Sequence, residues 1–93
     1  MYRVVFATRA KKDLRKYSRS GPFPLEKLGR ALDTLAEGKT LLPSFEDHAL
    51  KGSLAGQREF HLGYDVLVQY SRNNSLQVLI VGRIGTHSEL FGR

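Results

Sequence analysis

The sequence contains no cysteine and no tryptophan. Without cysteine there can be no disulfide, no thiolate metal site and no cysteine nucleophile, so the core must come from apolar packing alone. No apolar run approaches the ~20 residues of a membrane span. The opening stretch MYRVVFATRAKKDL is too short in its apolar part, and too soon charged, for a secretory signal. These absences predict a soluble cytoplasmic protein with no membrane partner. With 93 residues, 41% of them hydrophobic, the chain has material for one domain, 1–93, with a small two-layer core. Acidic residues are also scarce: 9 Asp plus Glu face 15 Lys plus Arg, a net charge of +6. The excess gathers at Arg3, Arg9, Lys11, Lys12, Arg15, Lys16 and Arg19, opposed only by Asp13. Such a patch attracts nucleic acid or an acidic protein surface. It is equally what a solvated helix face looks like.

The order of elements follows from periodicity. Tyr2 to Ala7 is rich in β-branched and aromatic residues and reads as a strand. Thr8 suits an N-cap, and Ala10, Leu14 and Tyr17 recur at helical spacing to about Ser20. The run Gly21-Pro22-Phe23-Pro24 breaks that helix. A second helix carries Leu25, Leu28, Leu32 and Leu35 on one stripe and stops at Gly38. Lys39 to Gly56 is irregular, and so long a connection in so small a domain points to function. Three strand-like runs follow, Gln57–Leu62, Asp65–Ser71 and Ser75–Ile84, with turns at Gly63-Tyr64 and Arg72-Asn73-Asn74. Thr86 then caps a last helical turn. The fold class is α+β: an N-terminal strand, a helical hairpin, a three-stranded antiparallel meander and a short C-terminal helix.

Alternation along strands assigns faces. Phe60 and Leu62, then Val66, Val68 and Tyr70, then Val78, Ile80 and Ile84 form the expected core face. Glu59, His61, Asp65, Gln69, Gln77 and Arg83, with Leu67, Leu79 and Val81, fall on the opposite, open face. A single β-bulge would change this assignment. The three histidines, His48, His61 and His87, all lie in the second half. Imidazole suits proton transfer near neutral pH, and an arginine such as Arg83 can stabilise a phosphate whose charge grows in a transition state. Phe91 can stack on a base. Each also has a plainer reading: surface histidines, an arginine paired with a carboxylate such as Glu59, a phenylalanine anchoring the terminus. The 13- and 26-residue intervals between the histidines match no short zinc pattern. No metal and no cofactor is expected.

Two segments then narrow the reading. Asp47 to Tyr70, DHALKGSLAGQREFHLGYDVLVQY, and Gly82 to Phe91, GRIGTHSELF, resemble the YafQ-like branch of the RelE/ParE superfamily of bacterial toxins. The resemblance implies a toxin that cleaves mRNA in the ribosomal A site and is neutralised by a cognate antitoxin. By correspondence, His48, His61, Asp65 and His87 form its acid–base group, Arg83 contacts phosphate and Phe91 supports a base. Lys51 and Arg58, inside the first segment, are assigned to substrate binding. The implied reaction is attack of a ribose 2′-OH on the adjacent phosphate, without a metal. One departure stands out: the branch has Pro-Asp-Trp where this chain has Tyr64-Asp65-Val66. The competing expectations are a ParE-like gyrase inhibitor of the same fold and a non-catalytic nucleic-acid-binding module.

Overall fold

The computed structural model describes residues 1–19, 21–63 and 65–92. Tyr64, expected in a turn, lies outside the described residues, as do Ser20 and Arg93. Strand β1 (Arg3–Phe6) leads into helices α1 (Thr8–Arg19) and α2 (Leu25–Ala36). The connection after α2 holds two 3₁₀ turns, Pro43–Phe45 and Gly52–Leu54, on either side of a two-residue strand β2 (His48–Ala49). Strands β3 (Arg58–Gly63), β4 (Val66–Asn73) and β5 (Val78–Gly85) follow, and helix α3 (His87–Phe91) closes the fold. The α+β order matches expectation, with β2 added. Two residues are too few to show alternation, so β2 is invisible to periodicity; its pairing with β3 creates it, His48 opposite Glu59 and Ala49 opposite Arg58.

The sheet runs β1-β5-β4-β3-β2. β1 lies parallel to β5, and the remaining pairs are antiparallel. Helix α2 stops where Gly38 adopts φ +82, and the Gly38 and Lys39 amides close onto the Leu35 and Thr34 carbonyls. Its stripe Leu28, Ala31, Leu32, Leu35 and Ala36 is buried, and Ala10 joins it from α1. Leu25 departs from the expected stripe: it opens the helix after Pro24 and is 56% exposed.

Against these helices the sheet packs Phe60, Leu62, Val68, Tyr70, Leu79, Val81 and Ile84. The face assignment of β5 therefore needs correcting over its first half. Gln69 opposes Arg83 but Tyr70 opposes Val81, so Gly82 is an extra residue on β5. This bulge inverts the parity of everything before it. Leu79 and Val81, expected on the open face, are fully buried, and Val78 and Ile80 take the alternate positions. Gln77 is no strand residue at all: it sits exposed in the preceding turn with φ 53. Arg83, beyond the bulge, keeps its expected side.

The irregular connection is tied down by a partly buried triad. The Tyr70 hydroxyl donates to Asp47 Oδ2 at 2.6 Å, and Arg58 Nε donates to Asp47 Oδ1 at 3.0 Å. Burial, and then the Asp47 carboxylate, push the Tyr70 hydroxyl up to about 12. Tyr70→Phe removes one charge-assisted bond from a mostly buried carboxylate. It should lower unfolding stability by about 2 kcal/mol, read as a lower urea midpoint at unchanged slope.

Candidate active site on the open sheet face

Cross-strand register builds the site in two rows. In the first, His48, Glu59, Gln69 and Arg83 stand opposite one another across β2, β3, β4 and β5. In the second, His61 opposes Leu67, and Leu67 opposes Gly85. Directly opposed residues on neighbouring strands share a face and lie about 4.8 Å apart, so His61 and Gly85 are separated by about 10 Å of sheet. Two residues beyond Gly85 the chain reaches His87.

The two rows meet at the β2–β3 end of the sheet. The His48 and His61 ring centroids lie 6.2 Å apart. His48 Nδ1 is 2.7 Å from the Glu46 carbonyl oxygen, which can only accept, so Nδ1 carries the proton. This tautomer turns Nε2 toward Glu59 Oε2 at 3.5 Å, an ion pair whenever the ring is protonated. Glu59 is only 4% exposed and Gln69 3%. The Gln69 amide donates to Glu59 Oε1 at 3.1 Å. A carboxylate is retained at such depth only when hydrogen-bonded or paired, and the Gln69 amide supplies the hydrogen bond.

Arg83 is held from another layer. Its Nε donates to Asp13 Oδ2 at 2.8 Å and its Nη2 to Asp13 Oδ1 at 3.2 Å. The Asp13 bonds raise the pKa of the guanidinium against the opposing effect of burial. Its partner is thus Asp13 on α1, not Glu59.

Helix α3 carries the remaining groups. The Thr86 hydroxyl accepts from the Glu89 amide at 3.1 Å, and the Thr86 amide donates to Glu89 Oε1 at 2.8 Å, a complete capping box. From α1, Tyr17 donates its hydroxyl to Glu89 Oε1 at 2.6 Å, and Lys16 binds Oε2. Lys16, then Tyr17, then the Thr86 backbone lower the Glu89 pKa to about 2. Burial, and next the Glu89 contact, raise that of the Tyr17 hydroxyl. A side chain at Gly85 would come within 3.1 Å of both Glu89 Oε1 and Leu90 Cδ2, so the absence of a Cβ lets α3 fold back on the end of β5. On this helix His87 and Phe91 stack with centroids 4.9 Å apart. Both are exposed, Phe91 by 39%, so Phe91 does not anchor the terminus in the core.

The other expected site residues fall differently. Asp65 lies exposed in the turn before β4, outside the strand, so alternation does not place it. Lys51 is exposed just before the 3₁₀ turn Gly52–Leu54. Arg58 spends its Nε on Asp47 and its Nη2 on the Asp47 carbonyl at 3.4 Å. Burial works against its charge, but Asp47 and Tyr70 leave its pKa raised. Among the described residues no group of three or more His, Asp or Glu side chains is set to hold a metal ion. Two residues gain importance that sequence reading had not given them, Asp13 and Glu89, and Glu59 takes His48 as its neighbour in place of the Arg83 considered for it. Glu89 had a legible signal, the Thr-x-x-Glu spacing of a capping box.

The five-stranded sheet with two main helices and a short C-terminal helix matches solved structures of bacterial toxins. A metal-bound toxin from Helicobacter pylori superposes with a TM-score of 0.91 at 36% identity, covering 98% of this chain and 100% of that one. YafQ from the E. coli DinJ–YafQ complex superposes with a TM-score of 0.86 at 25% identity, covering 99% and 100%. A further DinJ–YafQ structure gives 0.84 at 26% identity over 98% of each chain. No curated protein sequence matches the chain. The family model described as the bacterial YafQ toxin of type II toxin–antitoxin systems matches residues 2–92. The protein is therefore a toxin of the type II toxin–antitoxin class. Within that class it belongs to the YafQ family.

Proposed function

We propose that the protein is a ribosome-dependent endoribonuclease that inhibits translation by cutting mRNA, and that a cognate antitoxin neutralises it. The observation that carries this reading is the open sheet face. It gathers His48, beside Glu59 in the row that ends at Arg83, and His61 of the adjoining row, with rings 6.2 Å apart. Helix α3 adds His87 and Phe91 at the end of the adjoining row.

In this reading His61 or Asp65 takes the proton of a ribose 2′-OH as its oxygen attacks the neighbouring phosphorus. His87 gives a proton to the departing 5′-oxygen, and Arg83 offsets the growing phosphorane charge. A 2′,3′-cyclic phosphate and a 5′-OH end result. His48, paired with Glu59, supports the proton inventory of the face. Phe91 stacks on a base of the message, while Lys51 supplies a charge for the backbone. Arg58 acts by fixing Asp47, the residue that precedes His48.

The decisive test is purified, folded toxin added to programmed ribosomes, with the message mapped by primer extension. Codon-registered cuts support the reading, and an intact message refutes it. Inhibition of gyrase supercoiling with no cutting would favour a ParE-like activity. Binding that falls steeply with salt and forms no product would favour a simple nucleic-acid-binding module.

The antitoxin relation has its own test. Lys11 and Arg15 are exposed on α1, and Lys12 lies with them. Reversing these three charges should weaken antitoxin binding about tenfold or more and flatten its salt dependence. Lys16 is left intact because it holds Glu89. An unchanged affinity would place the antitoxin elsewhere.

A further inference from the structure

The geometry points to Asp13 as the residue that positions Arg83 for its work on phosphate. This inference rests on the proposed role of Arg83.

Strand β5 needs a partner on its β1 side. β1 ends at Phe6, opposite Val81, and the Ala7 amide makes a last bond to the Val81 carbonyl. Past that point β5 continues to Gly85 with no strand among the described residues on this side. The Ile84 amide there donates instead to Asp13 Oδ2 at 2.9 Å. One carboxylate of α1 thus stands in for the missing strand. The same carboxylate receives Nε and Nη2 of Arg83, the residue just before Ile84, in two parallel bonds.

Three bonds to a single, mostly buried carboxylate fix its orientation, and a two-point contact fixes the plane of the guanidinium. Arg83 is 70 residues from Asp13 in sequence, so tertiary packing makes this pair, not local preference. Nε and one Nη2 hydrogen are spent on Asp13. The Nη1 edge has no bond to another described residue and is the edge left for a phosphate oxygen. An arginine so anchored loses little side-chain freedom when it meets its anion. Asp13 touches no substrate: it acts through Arg83.

Lysine could supply the charge of Arg83 but not this geometry. Asparagine at 13 breaks the two-point contact while sparing the backbone. Its amide oxygen, in the place of Oδ2, still accepts from the Ile84 amide and from Arg83 Nε, while its Nδ2, in the place of Oδ1, faces Arg83 Nη2 as donor against donor. Asp13→Asn should therefore keep the fold, shown by an unchanged melting curve. Message cleavage on programmed ribosomes should fall about 100-fold, the scale of a misplaced catalytic group. In wild-type protein the Arg83 Nη2 protons should give slowly exchanging NMR signals, lost in Asp13→Asn. Asp13→Glu, one methylene longer, is a second variant should the amide fail to fold.

The double-mutant cycle with Arg83→Ala distinguishes positioning from mere support. If Asp13 acts only through Arg83, Asp13→Asn has no further effect in the R83A background. An equal loss in both backgrounds overturns the proposal, because the damage would then be general. Full activity in Asp13→Asn, with Arg83→Ala inactive, also overturns it while sparing the proposed function. A wild-type protein that cuts no message, or an Arg83→Ala variant that cuts normally, fails the underlying reading instead and takes this inference with it.

Discussion

His87→Ala is expected to leave the protein folded and to lower message cleavage by about 10²- to 10⁴-fold, the range that one acid–base group contributes. Structure makes the separation possible. His87 is exposed at the start of α3, and no residue of that helix is buried, so the imidazole carries none of the core. Its ring meets Phe91, which stands at the other end of the same short helix. The Thr86–Glu89 capping box holds the helix without using His87. Cleavage and a thermal melt, measured on the same preparation, decide the matter. Retained cutting would remove His87 from the chemistry, and a large drop in melting temperature would show that its role is structural.

Replacing Glu89 should do nearly as much by another route. Glu89 joins α3 to its own start, through Thr86, and to α1, through Lys16 and Tyr17. In Glu89→Ala the side-chain ties to Thr86, Lys16 and Tyr17 go together. The expected result is a cleavage loss of about 100-fold from displaced His87 and Phe91. The main thermal transition should stay in place, because the core lies elsewhere.

Acid should mimic the substitution. Glu89 sits at about 2 in the folded chain against an ordinary 4.5, so its contribution is fully present above the ordinary value. That contribution is lost as pH falls from there through the folded value. The amide signal of Glu89, held by the Thr86 hydroxyl, should therefore shift between about pH 4.5 and 2 while core amides remain. If the α3 amides of the wild-type protein at neutral pH already coincided with those of the Glu89→Ala variant, the latch would not form.

Much of this protein is readable without coordinates. Apolar spacing delivers both long helices, because a stripe such as Leu28, Leu32 and Leu35 has one way to be buried. Gly38 and Pro24 mark the ends of α2 because positive φ and a missing N–H act locally. Phe60, Leu62, Val68 and Tyr70 reveal the core face of β3 and β4 by simple alternation. The ending Arg83, Gly85, Thr86, His87, Phe91 also signals its own cap and turn. All of these depend on interactions within a few residues.

The rest is decided by contacts between distant segments. The bulge at Gly82 is a mismatch between two strands, and no single strand's pattern contains it. It sends Leu79 and Val81 inward and leaves Arg83 outward. β2 exists only because β3 offers an edge and Tyr70 and Arg58 hold Asp47. The parallel seat of β1 beside β5 requires the whole chain to return. The partners that orient the site, Glu59 for His48, Asp13 for Arg83, and Lys16 and Tyr17 for Glu89, lie 11, 70, 73 and 72 residues away. Sequence alone determined which side chains have the chemistry for proton and phosphate work, and it put His61 and Arg83 on strands and His87 and Phe91 at the closing helical turn. Only the tertiary structure decided which carboxylate each cation meets, because hydrogen-bonded pairing depends on ångström distances that chain spacing does not carry.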